Sequence, residues 1–252
     1  MSVGDRIATP EGKRQYVRTL FATIADRYDL ITVVLSYGQD RRWKGRLIDL
    51  AAPSETDSAL DLATGTGDLA WALSRRASRV VGLDVTRRMV ELARRKSGAP
   101  TRERPTFLVG DMAALPFPAC SFDIVTTGYG LRNVSDLQGA LDEILRVLKP
   151  GGRALSLDFN RPANRFVRAA YLTYLAAVGG ALGWLLHRDA DTYRYIPASI
   201  GGYPGADAVA RLMEERGFVR VRHYRVLGGL MAIHRAHKPA AAAADAEPPR
   251  QR

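Results

Sequence analysis

The chain is almost without cysteine: Cys120 is the single one in 252 residues, so no intramolecular disulfide can form and a reducing compartment is expected. Cys120 itself reads as a small apolar residue. No apolar core of the secretory type stands near the N-terminus, so no export is expected. Lysine is scarce, five residues against 32 arginines, yet the net charge is +11. The basic residues are dispersed, and no run interleaves them with aromatic side chains; nucleic acid is therefore not expected as a partner. An anionic membrane face is left as the attractor for the surplus charge. No metal site is expected. What is present, 46% hydrophobic and 25% charged residues, is the composition of a soluble globular enzyme long enough to bury a full core.

The chain is organised around Asp61-Leu62-Ala63-Thr64-Gly65-Thr66-Gly67-Asp68. An apolar run ends in an acid, two glycines follow one apart, and an amphipathic segment begins. This is a strand passing through a tight turn into a helix, whose N-terminal N–H groups receive a nucleotide-like ligand. Residues 1–58 are expected as a helical preface, with Phe21, Ile24, Ala25 and Tyr28 on one face and a break at residues 36–40 before a second helix. Residues 59–160 alternate strand and helix, with strands at 59–63, 80–83, 106–109, 122–127 and 153–159 and a turn at Pro150-Gly151-Gly152. The pattern predicts a doubly wound, seven-stranded, mostly parallel α/β sheet covered by helices on both faces. Residues 161–204 interrupt it. Their 18 uncharged residues, 169–186, reach the lower limit for a membrane span, but Gly179-Gly180 and Gly183 divide them, and two short helices forming an apolar lid are expected. Residues 205–237 return to the core with a helix and an antiparallel hairpin through Gly228-Gly229. The alanine- and proline-rich residues 238–252 read as disordered.

The glycine turn does not choose its own ligand. Gly65-x-Gly67-x-x-Ala70 fits a dinucleotide site equally well, and Asp84, at the next strand end, suits the ribose hydroxyls of either cofactor. The third strand end, Gly110-Asp111-Met112, tips the balance: an acid there takes the adenine amine while the next N–H meets the ring. The Pro-Gly-Gly turn and the closing hairpin also belong to methyltransferases rather than dehydrogenases. A methyltransferase of another small-molecule or RNA substrate and a nucleotide-dependent oxidoreductase stay as the alternatives.

At these residues the sequence resembles the ubiquinone/menaquinone biosynthesis C-methyltransferases. The likeness is carried by Phe21-x-x-Ile-Ala-Asp-Arg-Tyr-Asp29, Ser36-Tyr-Gly-Gln-Asp-Arg-Arg-Trp43 and the glycine turn, and by Gly130-Leu-Arg-Asn-Val134, Arg146-Val-Leu-Lys-Pro-Gly-Gly152, Tyr193-x-Tyr195 with Ser199-Ile200, and Gly228-Gly229 through His234-Arg235. It covers residues 15–236, with departures at Thr32, Asp158 and Ala236, where the family commonly has Asn, Glu and Gly. The resemblance implies methyl transfer from S-adenosylmethionine to a ring carbon of a polyprenylated hydroquinone. It implies that Thr66, Asp84, Asp111 and Met112 touch the cofactor, within a binding set that also holds Asp61, Thr64, Gly65, Gly67, Val85 and Gly128. It places Arg132 at the position where the family's base has been sought.

A free guanidinium keeps its proton, so Arg132 is expected to stabilise the developing phenolate instead, with Asn133 orienting a hydroxyl or a water. Asp158 and His234 are candidates to receive the proton, and Tyr28, with Tyr195, to hydrogen-bond the quinol. The lid would cover the prenyl tail at the membrane surface. The expected setting is thus cytoplasmic, peripheral to the inner face of the membrane, with the oligomeric state open.

Overall fold

The computed structural model describes residues 3–96, 103–162, 164–188 and 192–240. Four helices make the preface: α1 (Val3–Arg6), α2 (Pro10–Ile24), α3 (Tyr28–Leu35) and α4 (Asp40–Ala51). Thr9 caps α2 by accepting from Gly12 N at 3.1 Å, and Pro10 occupies the first turn, where its missing N–H costs nothing. The core follows as β1 (Ser58–Leu62), α5 (Asp68–Leu73), β2 (Arg79–Asp84), α6 (Arg87–Arg95), β3 (Thr106–Val109), β4 (Phe122–Gly128), α7 (Leu137–Val147) and β5 (Leu148–Phe159). Then come α8 (Arg165–His187), α9 (Tyr195–Gly202), α10 (Ala206–Glu215), β6 (Val219–Val226) and β7 (Met231–His237).

The seven strands form one sheet in the order β3-β2-β1-β4-β5-β7-β6. All neighbouring pairs from β3 to β5 are parallel, and β7 runs antiparallel to both β5 and β6. Because successive side chains point to opposite faces, each strand feeds two cores. Ala59, Ile124, Leu155 and Leu157 face a cluster with Leu47, Trp71 and Val90, while Leu60, Leu62 and Val125 face one with Leu141, Ile144 and Met213. The order reverses between β1 and β4, and at such a switch point the carboxyl ends of the strands part to leave a crevice.

Four details differ from expectation. The segment expected as two lid helices is one continuous helix, α8; Gly179 and Gly183, four residues apart, both face inward and are buried, so they admit a close neighbour instead of breaking the helix. Pro150-Gly151-Gly152 is an interruption inside β5, where the register with β4 slips between Phe122 and Ile124 and Gly151 takes φ 76°. The preface has a third substantial helix, α3, where a single break had been read. Lys238 is part of the fold: its N–H donates to Gly152 O at 2.9 Å and its carbonyl accepts from Gly151 N at 3.2 Å. Of the segment read as disordered, residues 241–252 lie outside the described residues.

Candidate active site

Two chambers open at the carboxyl end of the sheet. The first encloses about 740 Å³, partly open to solvent, between the glycine turn, the ends of β2, β3 and β4, and α2. Gly65, Asp84, Val85, Asp111, Met112 and Gly128, all named from the sequence as cofactor residues, line it. The Asp84 carboxylate is fixed from below, Oδ2 accepting from Gly65 N and Oδ1 from Thr86 N, both at 2.8 Å. Asp111 accepts from Ala113 N at 2.9 Å and pairs at 3.4 Å with Arg14, which reaches over from α2. Backbone fills the floor: a Cβ on Gly130 would stand 2.3 Å from Thr127 Oγ1 and 2.9 Å from Ala63 Cβ. Ala63 and Tyr129 themselves hold left-handed φ of 50° and 60°, a strain that collects at functional sites.

Other expected cofactor residues serve from behind the lining. Asp61 is buried and ties the glycine turn to β4, accepting from Thr64 Oγ1 at 2.6 Å and from Thr126 Oγ1 at 2.8 Å. Burial pushes its carboxyl up to about 6, with the two hydroxyls pulling the other way. Thr66 donates to Asp29 at the start of α3, and Gly67 carries the φ of 86° that lets α5 begin.

The second chamber, about 780 Å³, lies between α3, α8, α9 and the end of β5. Its lining is mostly aromatic and aliphatic, including Trp43, Phe159, Tyr171, Tyr174, Tyr193 and Tyr195. Arg132 supplies its cation. The guanidinium is only 6% exposed, contacts Asp158 Oδ1 at 3.1 Å through Nε, and donates through Nη1 to Ser199 Oγ at 2.9 Å and Asn133 Oδ1 at 3.0 Å. It also stands 4.9 Å from the centre of the Phe159 ring. Asn133 is held by donating to Tyr129 O at 2.7 Å and accepting from Tyr195 Oη at 3.0 Å. Asp158 further accepts from Arg132 N at 3.1 Å and Phe159 N at 2.8 Å. Burial drives its carboxyl upward and the arginine charge draws it back.

Phe21, Tyr28 and Tyr129 line both chambers and so form the partition between them. Tyr28 thus faces both spaces. His234 faces neither: it is 2% exposed inside β7, where Nε2 bonds Ala206 O at 2.9 Å and Nδ1 faces Ser156 Oγ at 3.5 Å, and it lines neither chamber. Its register opposite Ser156 and His223, in the middle of the antiparallel edge, accounts for that position.

Two groups of residues escaped the sequence reading. Tyr129 Oη donates to buried Asp40 at 2.7 Å; Asp40 meets Lys44 at 2.6 Å, and Lys44 meets Asp68 at 2.8 Å. Burial alone would lower Lys44, but Asp68 and Asp40 outweigh it and hold the ammonium above its ordinary range. The four-residue spacing of Asp40 and Lys44 on a helix was the available signal. Lys13 donates to Arg132 O at 3.0 Å and Val134 O at 2.7 Å, tying α2 to the Arg132 turn; a lone helix-surface lysine gives no such signal.

The family model of the ubiE/COQ5 methyltransferases matches residues 10–238. The demethylmenaquinone methyltransferase of Thermus thermophilus is 42% identical over 222 residues, covering 87% of this chain and 100% of that one. The ubiquinone/menaquinone biosynthesis C-methyltransferase of Stutzerimonas stutzeri is 38% identical over 237 residues, covering 90% of each. Among solved structures, a Thermotoga maritima S-adenosylmethionine-dependent methyltransferase shares the fold with a TM-score of 0.64 at 19% identity, covering 88% of this chain and 99% of that one. A Haemonchus contortus phosphoethanolamine N-methyltransferase solved with S-adenosylmethionine has a TM-score of 0.57 at 15% identity, covering 79% of this chain and 52% of that one.

Proposed function

The chain belongs to the ubiE/COQ5 methyltransferase family, and from that premise we propose that it methylates a ring carbon of a polyprenylated hydroquinone, demethylmenaquinol or the benzoquinol counterpart. The observation that carries this reading is the shared wall: an acidic, backbone-floored chamber and an apolar, arginine-containing chamber meet at Phe21, Tyr28 and Tyr129.

S-adenosylmethionine fits the first chamber. Glycines let the floor come close, Asp84 keeps lone pairs free for ribose hydroxyls, and Asp111 faces the same space for an adenine amine. Two carboxylates also suit a ligand that carries a positive sulfonium. When bound, the cofactor supplies an electrophilic methyl group. The chain's residues do the rest. The partition aligns the ring with the donor, and such positioning contributes most of the acceleration in a reaction of this kind. Arg132, dry and fixed by Asp158, Ser199 and Asn133, stabilises negative charge on a ring oxygen as it develops. Asp158 keeps the guanidinium in place; with its oxygens already engaged, it holds the cation rather than collecting the proton.

The outer side of α8 supports a peripheral membrane role at the cytoplasmic face. Phe166, Trp184 and Leu185 are each about two-thirds or more exposed, and Arg165 and Arg188 flank the helix. The helix is long and apolar enough to cross a bilayer by length and composition, but its other side closes the second chamber through Tyr171, Tyr174 and Leu175. We place it flat in the headgroup region as a lid.

The test is direct. Purified protein with S-adenosylmethionine and demethylmenaquinol should give a product one methyl group heavier, and S-adenosylhomocysteine should raise the melting temperature where NAD does not. A shift with NAD alone would return the site to the oxidoreductases.

A further inference from the structure

The second chamber is lined by buried and half-buried residues with two exceptions, Tyr37 and Leu227. A cavity opens where its lining is exposed, so the mouth lies between the turn after α3 and the turn joining β6 to β7. Both residues carry an unusual backbone: Tyr37 has φ 52° and Leu227 φ 49°, a conformation that glycine adopts freely and other residues only at a cost. The glycines that follow, Gly38 at φ 73° and Gly228 at φ 61°, are left-handed too, so each turn needs two such residues in a row and places a large side chain at the first of them. Strain of this kind persists where a function holds it. Tyr37 stacks on Tyr174 of α8, with ring centroids 5.9 Å apart and planes 22° from parallel. Outside the mouth the exposed Leu30, Val33 and Val34 of α3 continue the apolar surface.

The chamber is a mostly apolar concavity of the kind that takes one small ligand. A ring with a long isoprenoid tail does not fit inside it, and the tail has to leave through the opening. We propose that Tyr37, Tyr174 and Leu227 form the binding site for the isoprenoid tail of the substrate, which passes between them and runs on over α3. This rests on the hydroquinone reading above. The strained turns aim their side chains at the tail, and the stacked tyrosines give it one flat apolar wall to run along.

The experiment compares kcat/KM for long-tailed demethylmenaquinol and for a tail-free dihydroxynaphthalene, in one detergent. Leu227→Gly and Tyr37→Gly remove the side chains and relieve the strain. The melting temperature should stay level or rise, while the long-tail to tail-free ratio falls at least ten-fold in the double variant. Leu227→Trp, which narrows the mouth, should lower the same ratio. Because any folding defect acts on both substrates alike, the ratio decides. A fall of less than ten-fold in the double variant, or a Leu227→Trp ratio within two-fold of wild type, would overturn the tail site. A wild-type protein that methylates neither compound would instead overturn the hydroquinone reading and the tail site with it.

Discussion

Arg132 is the residue on which the proposed chemistry turns, and its surroundings dictate how it is to be tested. Lysine at this position keeps the charge but loses the fork that reaches Ser199 and Asn133 together. Arg132→Lys is expected to lower kcat by about 100-fold, the usual effect of removing one preorganised electrostatic contact, with little change in the KM for S-adenosylmethionine. Activity within ten-fold of wild type would rule out a fixed guanidinium as the main stabiliser. Arg132→Ala should in addition unfold more easily, because it strands buried Asp158. His234 makes a different kind of prediction. Burial pushes its imidazole down to about 4, against an unfolded value of about 6.5. Its contribution to stability is therefore complete above pH of about 6.5 and is lost as pH falls toward 4, roughly 2 kcal/mol by pH 5. Asp61, pushed up to about 6, works in the opposite direction, gaining stability as it protonates. The readout is thus the difference between wild type and His234→Gln in thermal melts from pH 7 to 5: the variant should lose less stability on acidification, while its activity at pH 7 shows no loss of a catalytic base.

Among the elements, α8 shows how glycine reads in two ways. In isolation each glycine costs a helix about 1 kcal/mol, which is why the sequence pattern divides this segment. In the fold Gly179 is buried against Tyr193, where a Cβ would stand 3.1 Å from the tyrosine Cβ, so the packing depends on its absence. Gly179→Leu should lower stability by about 2 kcal/mol, the range for overpacking, and a melting temperature unchanged by it would refute the close approach. Gly201 in α9 has open space around it, and Gly201→Ala should raise stability by about 0.5–1 kcal/mol in the same assay.

For the whole molecule, the membrane role proposed above calls on the +11 charge and the exposed apolar side of α8 together. Sedimentation with vesicles containing anionic lipid should exceed that with neutral vesicles and weaken at high salt. Changing Phe166, Trp184 and Leu185 to serine should cut vesicle binding at least ten-fold while leaving the melting temperature level, since these side chains are exposed. Equal binding to both vesicle types would argue against the membrane face.

The division between what was legible and what was not follows the range of the interactions. Local patterns determined the sheet, the glycine turn, and the lining positions Asp84, Asp111 and Met112, because a strand end fixes which residue faces the crevice next to it. They also carried the family likeness, which named the chemistry. Only the tertiary structure decided that α8 is unbroken, that His234 is a packed residue and Asp158 a clamp on Arg132, and that Asp40 and Lys13 support the site from the preface. Each of those depends on a partner far away in the chain, such as Tyr193 for Gly179 or Ser199 for Arg132. A residue's role at such a contact is set by what it meets, and sequence spacing does not contain the meeting.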